Sequence, residues 1–493
     1  MACSCAAPHL PSVLISGAGS GCGKTTVSLA LMAACRNRGF LVRPFKTGPD
    51  FIDPGWHAAA CGLPSLNLDP WMQAWKELPG NAARQFLLHP RLVLPRAEVP
   101  RGSVPEIAII EGAMGLYDGL PGLAASAADV ALELHVPLLL VIDVRGMAAS
   151  AAAVARGLAG LRPGLAVAGA LCVMAGSVRH EKLLRAAFAE FCPDIPLLGV
   201  MPRTEDITLP SRHLGLTQAG EFRGDAESAA FFARLAELAE SHIDLDALFA
   251  RLGVSPRHMS PSRAGYSFPG AAKTGFPRIR IALARDEAFS FWYPESSLLL
   301  EEAGAELVPF SPLHDAGLPP GSRGLILPGG YPELHAERLS ANVSMREAIR
   351  AFARGHATYG ECGGFLYLMD FLEKDGTAFP MCGCLPLRAR MEPRRAALGY
   401  REARGLAGPW ENLTVRGHEF HYSRVIEKPD GLSPLWELRS PAASSARAEH
   451  EGAALGCISG SYVHLSMLSH PDAARCFVAR CLPRQNDLNK DMS

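Results

Sequence analysis

Two tandem α/β domains are the fold this chain predicts, and three observations predict it. Short apolar runs of strand length, "SVLISG", "IAIIEG", "PLLLVIDV", "LAVAGALCVM" and "IPLLGVMP", recur through the first half, with turns and helical patterns between them. Strands buried on both faces read as continuous apolar runs, so this alternation describes a parallel sheet between two helix layers. A stretch from about Val254 to Phe276, "VSPRHMSPSRAGYSFPGAAKTGF", is then rich in Ser, Pro, Gly and basic residues without an apolar period, which is linker composition. Beyond it the alternation resumes with "RIRIALARD", "AELVPFSP", "GLILPGG", "HATYGECGG" and "SYVHLSM". The expected boundaries are 10–248 for the first domain, 249–276 for the linker, 277–484 for the second domain and 485–493 for a polar, frayed tail.

Composition excludes several function classes. A chain of 493 residues is too long for one compact core. Its 48% hydrophobic and 20% charged residues are those of an ordinary globular enzyme. A formal net charge of −1 offers no basic excess for a nucleic-acid partner. No apolar run is long enough to span a membrane, and the N-terminus lacks the pattern of a signal peptide. The 13 cysteines are scattered, and the pairs Cys3/Cys5 and Cys382/Cys384 do not have Cys-x-x-Cys metal spacing. The expectation is a reduced, cytoplasmic protein.

In the first domain, "SVLISGAGSGCGKTTVSLAL" reads as a strand, a glycine-rich loop and a helix start. The loop residues Gly17, Gly19, Ser20, Gly21, Gly23, Lys24, Thr25 and Thr26 fit a phosphate-binding loop, although Ala18 stands where the strict pattern has glycine. Backbone N–H groups of such a loop cradle phosphate, the lysine bridges phosphates and the first hydroxyl binds magnesium, so a nucleotide and Mg2+ are the expected ligands. Magnesium takes oxygen ligands, and acids follow at strand ends. Glu111 closes "IAIIE", Asp118 lies in the next loop, and Asp50 and Asp53 follow "FLVRPFK", which ends in Lys46. Thr25, Asp53 and Glu111 are the candidate metal ligands, and Lys46, Asp50, Asp53, Glu111 and Asp118 together suit a metal–phosphate complex at one crevice. Asp143 ends another strand, "LLLVID", where it serves the site or caps a helix.

In the second domain, "HATYGECGGFLYLMDFL" puts Cys362 at a turn between a strand and a helical run. A nucleophile at such a turn is exposed, and a helix N-terminus favours the thiolate. Gly363 and Gly330 of "GLILPGGYPE" are placed to donate backbone N–H groups to an oxyanion. The general base must come from elsewhere. His464 of "GSYVHLSM" is a candidate alongside His418, His421 and His470.

Taken in order, GKTT, "FKTGPDFIDPGWH", "NLDPWM", "EGAMGLYDG", "LPSRHLGL", "ARDEAFSFWYPE", "PGGYPELHA", "YGECGGFLYL", "LGYRE", "RGHEFHYS" and "SYVHL" resemble the glutamine-dependent cobyrinic acid a,c-diamide synthases, from about residue 11 to residue 482. The resemblance implies an ATP-using amidoligase domain related to dethiobiotin synthetase, joined to a class I-like glutaminase domain. It implies that Cys362 attacks the glutamine carboxamide with help from His464, and that the ammonia passes internally to the ligase domain. There a corrin-type macrocycle has its c and a acetates phosphorylated and amidated in turn. Sirohydrochlorin, its nickel complex and sirohaem are alternative substrates for the same chemistry, and a partition-type ATPase switch is the alternative of another class. Glutamine and a tetrapyrrole are thus the expected partners, and a homodimer is left open. The chain departs from the family at Val173 and Met174, where an asparagine that reads the base in related ligases usually stands, and at Ser466, where a second histidine often follows. No acid stands two residues after His464, so a Cys–His dyad without a third member is expected.

Overall fold

Strand β1 (Ser12–Gly17) enters the first domain as six residues, buried but for its first, and ends on the glycine-rich loop. The structure is a computed structural model and describes residues 10–77, 106–203, 211–212, 215–216, 226–254, 278–442 and 448–482. Most of the expected linker, the tail from 485 and the Cys3/Cys5 pair lie outside the described residues. The chain divides into two compact units, Met1–Pro70 with Gln85–Tyr266 and Trp71–Arg84 with Ser267–Ser493.

In the first unit, β1 is followed by α1 (Lys24–Asn37), β2 (Val42–Thr47), α2 (Ile52–Cys61), β3 (Leu66–Leu68), β4 (Ile107–Glu111), α3 (Ala127–Leu134), β5 (Leu138–Asp143), α4 (Ser150–Gly160), β6 (Val167–Ala175), α5 (Val178–Phe191) and β7 (Leu197–Pro202). A short hairpin, β8 (Ser211–Arg212) with β9 (Gly215–Leu216), precedes α6 (Ala226–His242) and α7 (Leu245–Leu252). The last of these occupies the start of the expected linker, with Asp244 accepting from Ala247 N and Gly253 closing the helix in the left-handed region. The seven main strands run parallel in the order β3-β2-β4-β1-β5-β6-β7. Helix α1 explains why its sequence lacks a polar face. Every residue from Val27 to Cys35 is buried, because the helix lies between the sheet on one side and α6 on the other.

The second unit contains β10 (Ile279–Ala284), α8 (Pro294–Glu302), β11 (Ala305–Phe310), β12 (Gly324–Leu327), α9 (Ala336–Ala341), α10 (Val343–Ala353), β13 (Ala357–Glu361) and α11 (Gly363–Leu368). It continues with β14 (Met369–Lys374), β15 (Thr377–Pro380), β16 (Leu385–Met391), β17 (Ala397–Gly405), β18 (Thr414–His421), β19 (Ser423–Glu427), β20 (Trp436–Arg439), β21 (Glu449–Glu451), β22 (Ala453–Leu455), β23 (Ile458–Ser461), β24 (His464–Ser466) and α12 (Ala473–Arg480). Its main sheet has the order β11-β10-β12-β13-β23-β22, parallel except for β22 at the edge. Two smaller sheets, β15-β14-β16-β19 and β21-β20-β17-β18-β24, complete it. The tandem α/β expectation therefore holds for both halves.

The burial of α1 makes a test of the first core. Leu29 is fully buried among Val13, Ile107, Leu139 and Leu235 in one apolar cluster. Leu29→Ala is expected to lower stability by about 2–5 kcal/mol in urea unfolding followed by circular dichroism. A loss below about 0.5 kcal/mol, the range of surface substitutions, would contradict this packing.

Candidate active sites

The loop between β1 and α1 leaves Ser20 and Gly21 exposed at its tip, while Lys24 is buried at the first position of the helix. Gly23 has φ 91°, which places the turn into the helix in a region costly for any residue with a Cβ. Val173, which stands where the asparagine was expected, lies under this glycine: a Cβ added there would come within 3.2 Å of its Cγ2. Lys24 Nζ donates to Gly19 O at 2.7 Å, across the loop's own mouth.

Beside the loop, the ends of β2 and β4 and the start of α2 converge. Lys46 Nζ donates to Glu111 Oε1 at 2.8 Å and to Asp53 Oδ2 at 2.5 Å, with Asp50 Oδ2 3.9 Å away. Thr25 Oγ1 donates to the same Glu111 oxygen at 2.7 Å, tying the phosphate loop to the strand end. Asp50 Oδ1 accepts from the backbone N–H groups of Ile52 and Asp53 and so starts α2. Asn67 Nδ2 donates to Gly48 O and Asp50 O, pinning the loop between Lys46 and the helix. Asp118 turns instead to its own loop, accepting from Gly115 N at 2.9 Å, and Asp143 pairs with Arg145.

One residue of this group was not singled out from sequence. His57, fully buried, meets Glu111 Oε2 through Nε2 at 2.7 Å and Ser65 Oγ through Nδ1 at 3.1 Å. Its signal was legible: it lies four residues after Asp53 on α2, and that spacing puts both on one helix face.

Three carboxylates around one buried ammonium cannot be electrostatically equivalent. Burial works against ionised Glu111, but Lys46 and His57 outweigh it and hold this carboxylate well below its usual range. Burial together with the charges of Asp50 and Glu111 raises Asp53, despite its bond to Lys46. Burial opposes the charge on Lys46 as well, yet Glu111, Asp53 and Asp50 keep it firmly protonated. Among the described residues, no group of three or more His, Cys, Asp or Glu is arranged to hold a metal unaided. The Thr25 hydroxyl and the carboxylates of Glu111 and Asp53 are hard oxygen donors, which suit a cation that also carries waters and phosphate oxygens.

The second unit holds a separate constellation. Cys362 lies between β13 and α11 with φ 48° and ψ −101°, a strained strand-to-helix turn of the kind its glycine frame predicts. Its backbone N–H donates to Ser461 O on β23 at 2.7 Å. His464 opens β24, and the neighbouring Cys362 side chain favours its charged form. The expected dyad is corrected here, because Glu361 Oε1 stands 3.1 Å from His464 Nδ1. This acid comes from the residue before the cysteine, not from one after the histidine. Its other oxygen accepts from Leu465 N at 3.0 Å and Tyr359 Oη at 3.1 Å, so its position is set from two further sides. Burial disfavours a charged His464, but Cys362 and Glu361 overcome it and raise the imidazole to about 10.

The glycines have steric reasons at this site. A Cβ on Gly329 would fall 2.3 Å from His464 Cε1, and one on Gly363 would fall 3.0 Å from Gly330 N. The backbones of Gly330 and Gly363 therefore meet beside Cys362, whose side chain is buried.

Comparison with known proteins follows these two constellations. A profile described as a CobQ/CobB/MinD/ParA nucleotide binding domain matches residues 13–216, and one described as a CobB/CobQ-like glutamine amidotransferase domain matches residues 280–472. A cobyrinate a,c-diamide synthase of Syntrophotalea carbinolica is 39% identical, over 96% of this chain and 98% of its own length. A hydrogenobyrinate a,c-diamide synthase of Rhodobacter capsulatus is 39% identical over 92% and 97%, and a cobyrinate a,c-diamide synthase of Synechocystis is 36% identical over 97% and 95%.

The raised imidazole gives a pH test. A histidine that titrates near 6.5 unfolded and about 10 folded contributes stability that is complete below 6.5 and is lost as pH rises through about 10. The stability advantage of the parent protein over His464→Gln, measured by urea unfolding, is thus expected to shrink steadily between those values. An advantage that stays constant across that window would contradict the charged-pair geometry.

Proposed function

Because the chain belongs to the cobyrinate and hydrogenobyrinate a,c-diamide synthase family, we propose that it converts the a and c acetate side chains of such a corrin-type macrocycle to amides, with glutamine as nitrogen donor and ATP as the source of activation. The observation that carries this reading is that one chain holds both a phosphate loop tied to a lysine–carboxylate group and a Cys–His–Glu arrangement. A partition-type nucleotide switch would use the first and leave the second idle.

In the glutaminase reaction, the Cys362 thiolate adds to the carboxamide carbon of glutamine. The N–H groups of Gly330 and Gly363 receive the oxyanion. His464, held through Nδ1 by Glu361, gives its proton to the departing nitrogen, and ammonia leaves. Water then attacks the thioester with His464 as base, releasing glutamate and restoring the thiolate. Glu361 orients the ring and offsets its charge, as the acid does in a Ser–His–Asp triad.

The ligase reaction starts from a carboxylate, which is a poor electrophile with a poor leaving group. Transfer of the γ-phosphoryl group of ATP to an acetate oxygen repairs both faults, and ammonia then displaces phosphate from the acyl carbon. Lys24 and the N–H groups from Gly17 to Thr26 would hold the ATP phosphates. Thr25, Glu111 and Asp53 would hold Mg2+, which supplies charge neutralisation on the phosphates when bound. Asp50 supports the loop that carries Asp53, and Lys46 pairs with these acids and adds a cation at the phosphate side. His57 fixes Glu111 from behind. A reducing cytoplasm suits buried thiols such as those of Cys35, Cys61, Cys172 and Cys362.

The reading is tested by supplying glutamine, Mg-ATP and candidate macrocycles, with and without cobalt, and following each acid-to-amide conversion by mass spectrometry. Failure to amidate any corrin-type ring would overturn it. Cys362→Ser is expected to lose glutamine-dependent amidation on the order of 1,000-fold or more while ammonium salts still support it. Asp53→Asn, by contrast, should lose both, and ammonium-supported amidation at the parent rate would remove Asp53 from the ligase site.

A further inference from the structure

Behind His464 lies a set of buried groups to which the glutaminase chemistry assigns nothing. His418 on β18 is the register partner of His464 on β24, and the two imidazoles stack with centroids 4.9 Å apart and planes at 19°. Tyr293 Oη is 3.2 Å from His418 Nδ1. The same hydroxyl also donates to Met72 Sδ at 3.9 Å. His418, Tyr293 and Met72 are all buried.

Met72 belongs to a segment that sequence order puts between β3 and β4 of the first unit but that packs within the second. Arg416, two residues before His418 on the same strand, holds this segment. Its guanidinium lies 4.8 Å over the Trp71 ring, and it donates to Trp71 O at 2.9 Å and to Glu77 Oε1 at 3.0 Å. Trp71 packs on Tyr400 of β17 with centroids 5.1 Å apart. On the other side, Gln73 Nε2 donates to Glu295 Oε1 at 3.3 Å, two residues after Tyr293. The segment thus grips both elements that carry the His418–Tyr293 pair.

A proton-shuttling imidazole needs its plane held as well as one nitrogen, because small misplacements at a reacting centre cost large factors in rate. Glu361 holds the nitrogen, and the stacked His418 ring holds the plane. Burial, with the neighbouring charge of His464, keeps His418 well below the usual imidazole range, so the stacked ring is neutral and does not repel an imidazolium. We propose that Tyr293 and His418 are positioning residues for His464, and that residues 71–77, clamped by Arg416, set their placement and so couple this segment to the glutaminase rate. The proposal rests on the glutaminase reading of Cys362 and His464.

The test measures glutaminase kcat and KM for Tyr293→Phe, His418→Gln, the double variant and Arg416→Met. Ammonium-supported amidation and thermal unfolding report on folding. Each single variant is expected to lose about 10–100-fold in kcat, as for other residues that orient a catalytic ligand. KM for glutamine should stay within about twofold, since no substrate contact is removed. The double variant should lose no more than the weaker single, because the two groups act in series. Multiplying losses, a rise in KM without loss of kcat, or an unchanged kcat in Tyr293→Phe would each overturn the proposal. Tyr293→Phe removes one oxygen and keeps the packing, so it decides the matter even where His418→Gln does not fold. Full glutaminase activity in Cys362→Ser would instead overturn the parent reading.

Discussion

Parallel strand pairing is the constraint on which the reactive groups of this protein depend. Each central strand has its backbone hydrogen bonds taken up by neighbours on both sides, so its carboxyl end is fixed while the loop beyond it is free to carry chemistry. β1, β2 and β4 end side by side and deliver the phosphate loop, Lys46 and Glu111 to one place. β12, β13 and β23 do the same in the second unit, where Gly329, Cys362 and Ser461 follow or end them. Lys46 and Glu111 are direct register partners, so their 2.8 Å contact follows from the pairing of β2 with β4.

Burying charge at these strand ends is costly unless each charge is matched, and both sites solve that problem with few groups. In the first, Lys46 is shared among three acids, and His57 and Thr25 satisfy the remaining lone pairs of Glu111. The result is a carboxylate group held in place from several sides. In the second, the charge of His464 is balanced by Glu361 and Cys362, and Glu361 is itself held by a backbone N–H and a tyrosine. Neutral His418 and buried Tyr293 add shape at that site without adding charge.

Much of this was legible in the residues. Apolar runs revealed the strands because both faces of each sheet are covered, and GKTT after such a run marked the phosphate loop. Asp53 and Glu111 were recognisable from their position after strand-like segments. Reading failed where a contact depends on chain-distant geometry. His57 carries the helix-face spacing with Asp53, but nothing local says that the face meets Glu111. Asp118 accepts from Gly115 N within its own loop, and that loop reaches the glycine-rich turn where Leu116 N donates to Gly17 O. Glu361 was passed over because the search for a third triad member looked after His464, whereas β13 brings the acid from beside the nucleophile.

The sequence by itself determined the element types, the two glycine-rich turns and which cysteine, lysines and acids stand at or just beyond the strand ends. Those are properties of local composition and short-range spacing, which act before the chain is packed. Tertiary structure alone decided which acid serves which cation, which oxygen of Glu361 holds His464, and that residues 71–77 lie with the second unit next to Tyr293 and His418. Such choices belong to strand register and to tertiary packing, where side-chain partners are set by distance and burial and leave no periodic trace in the chain.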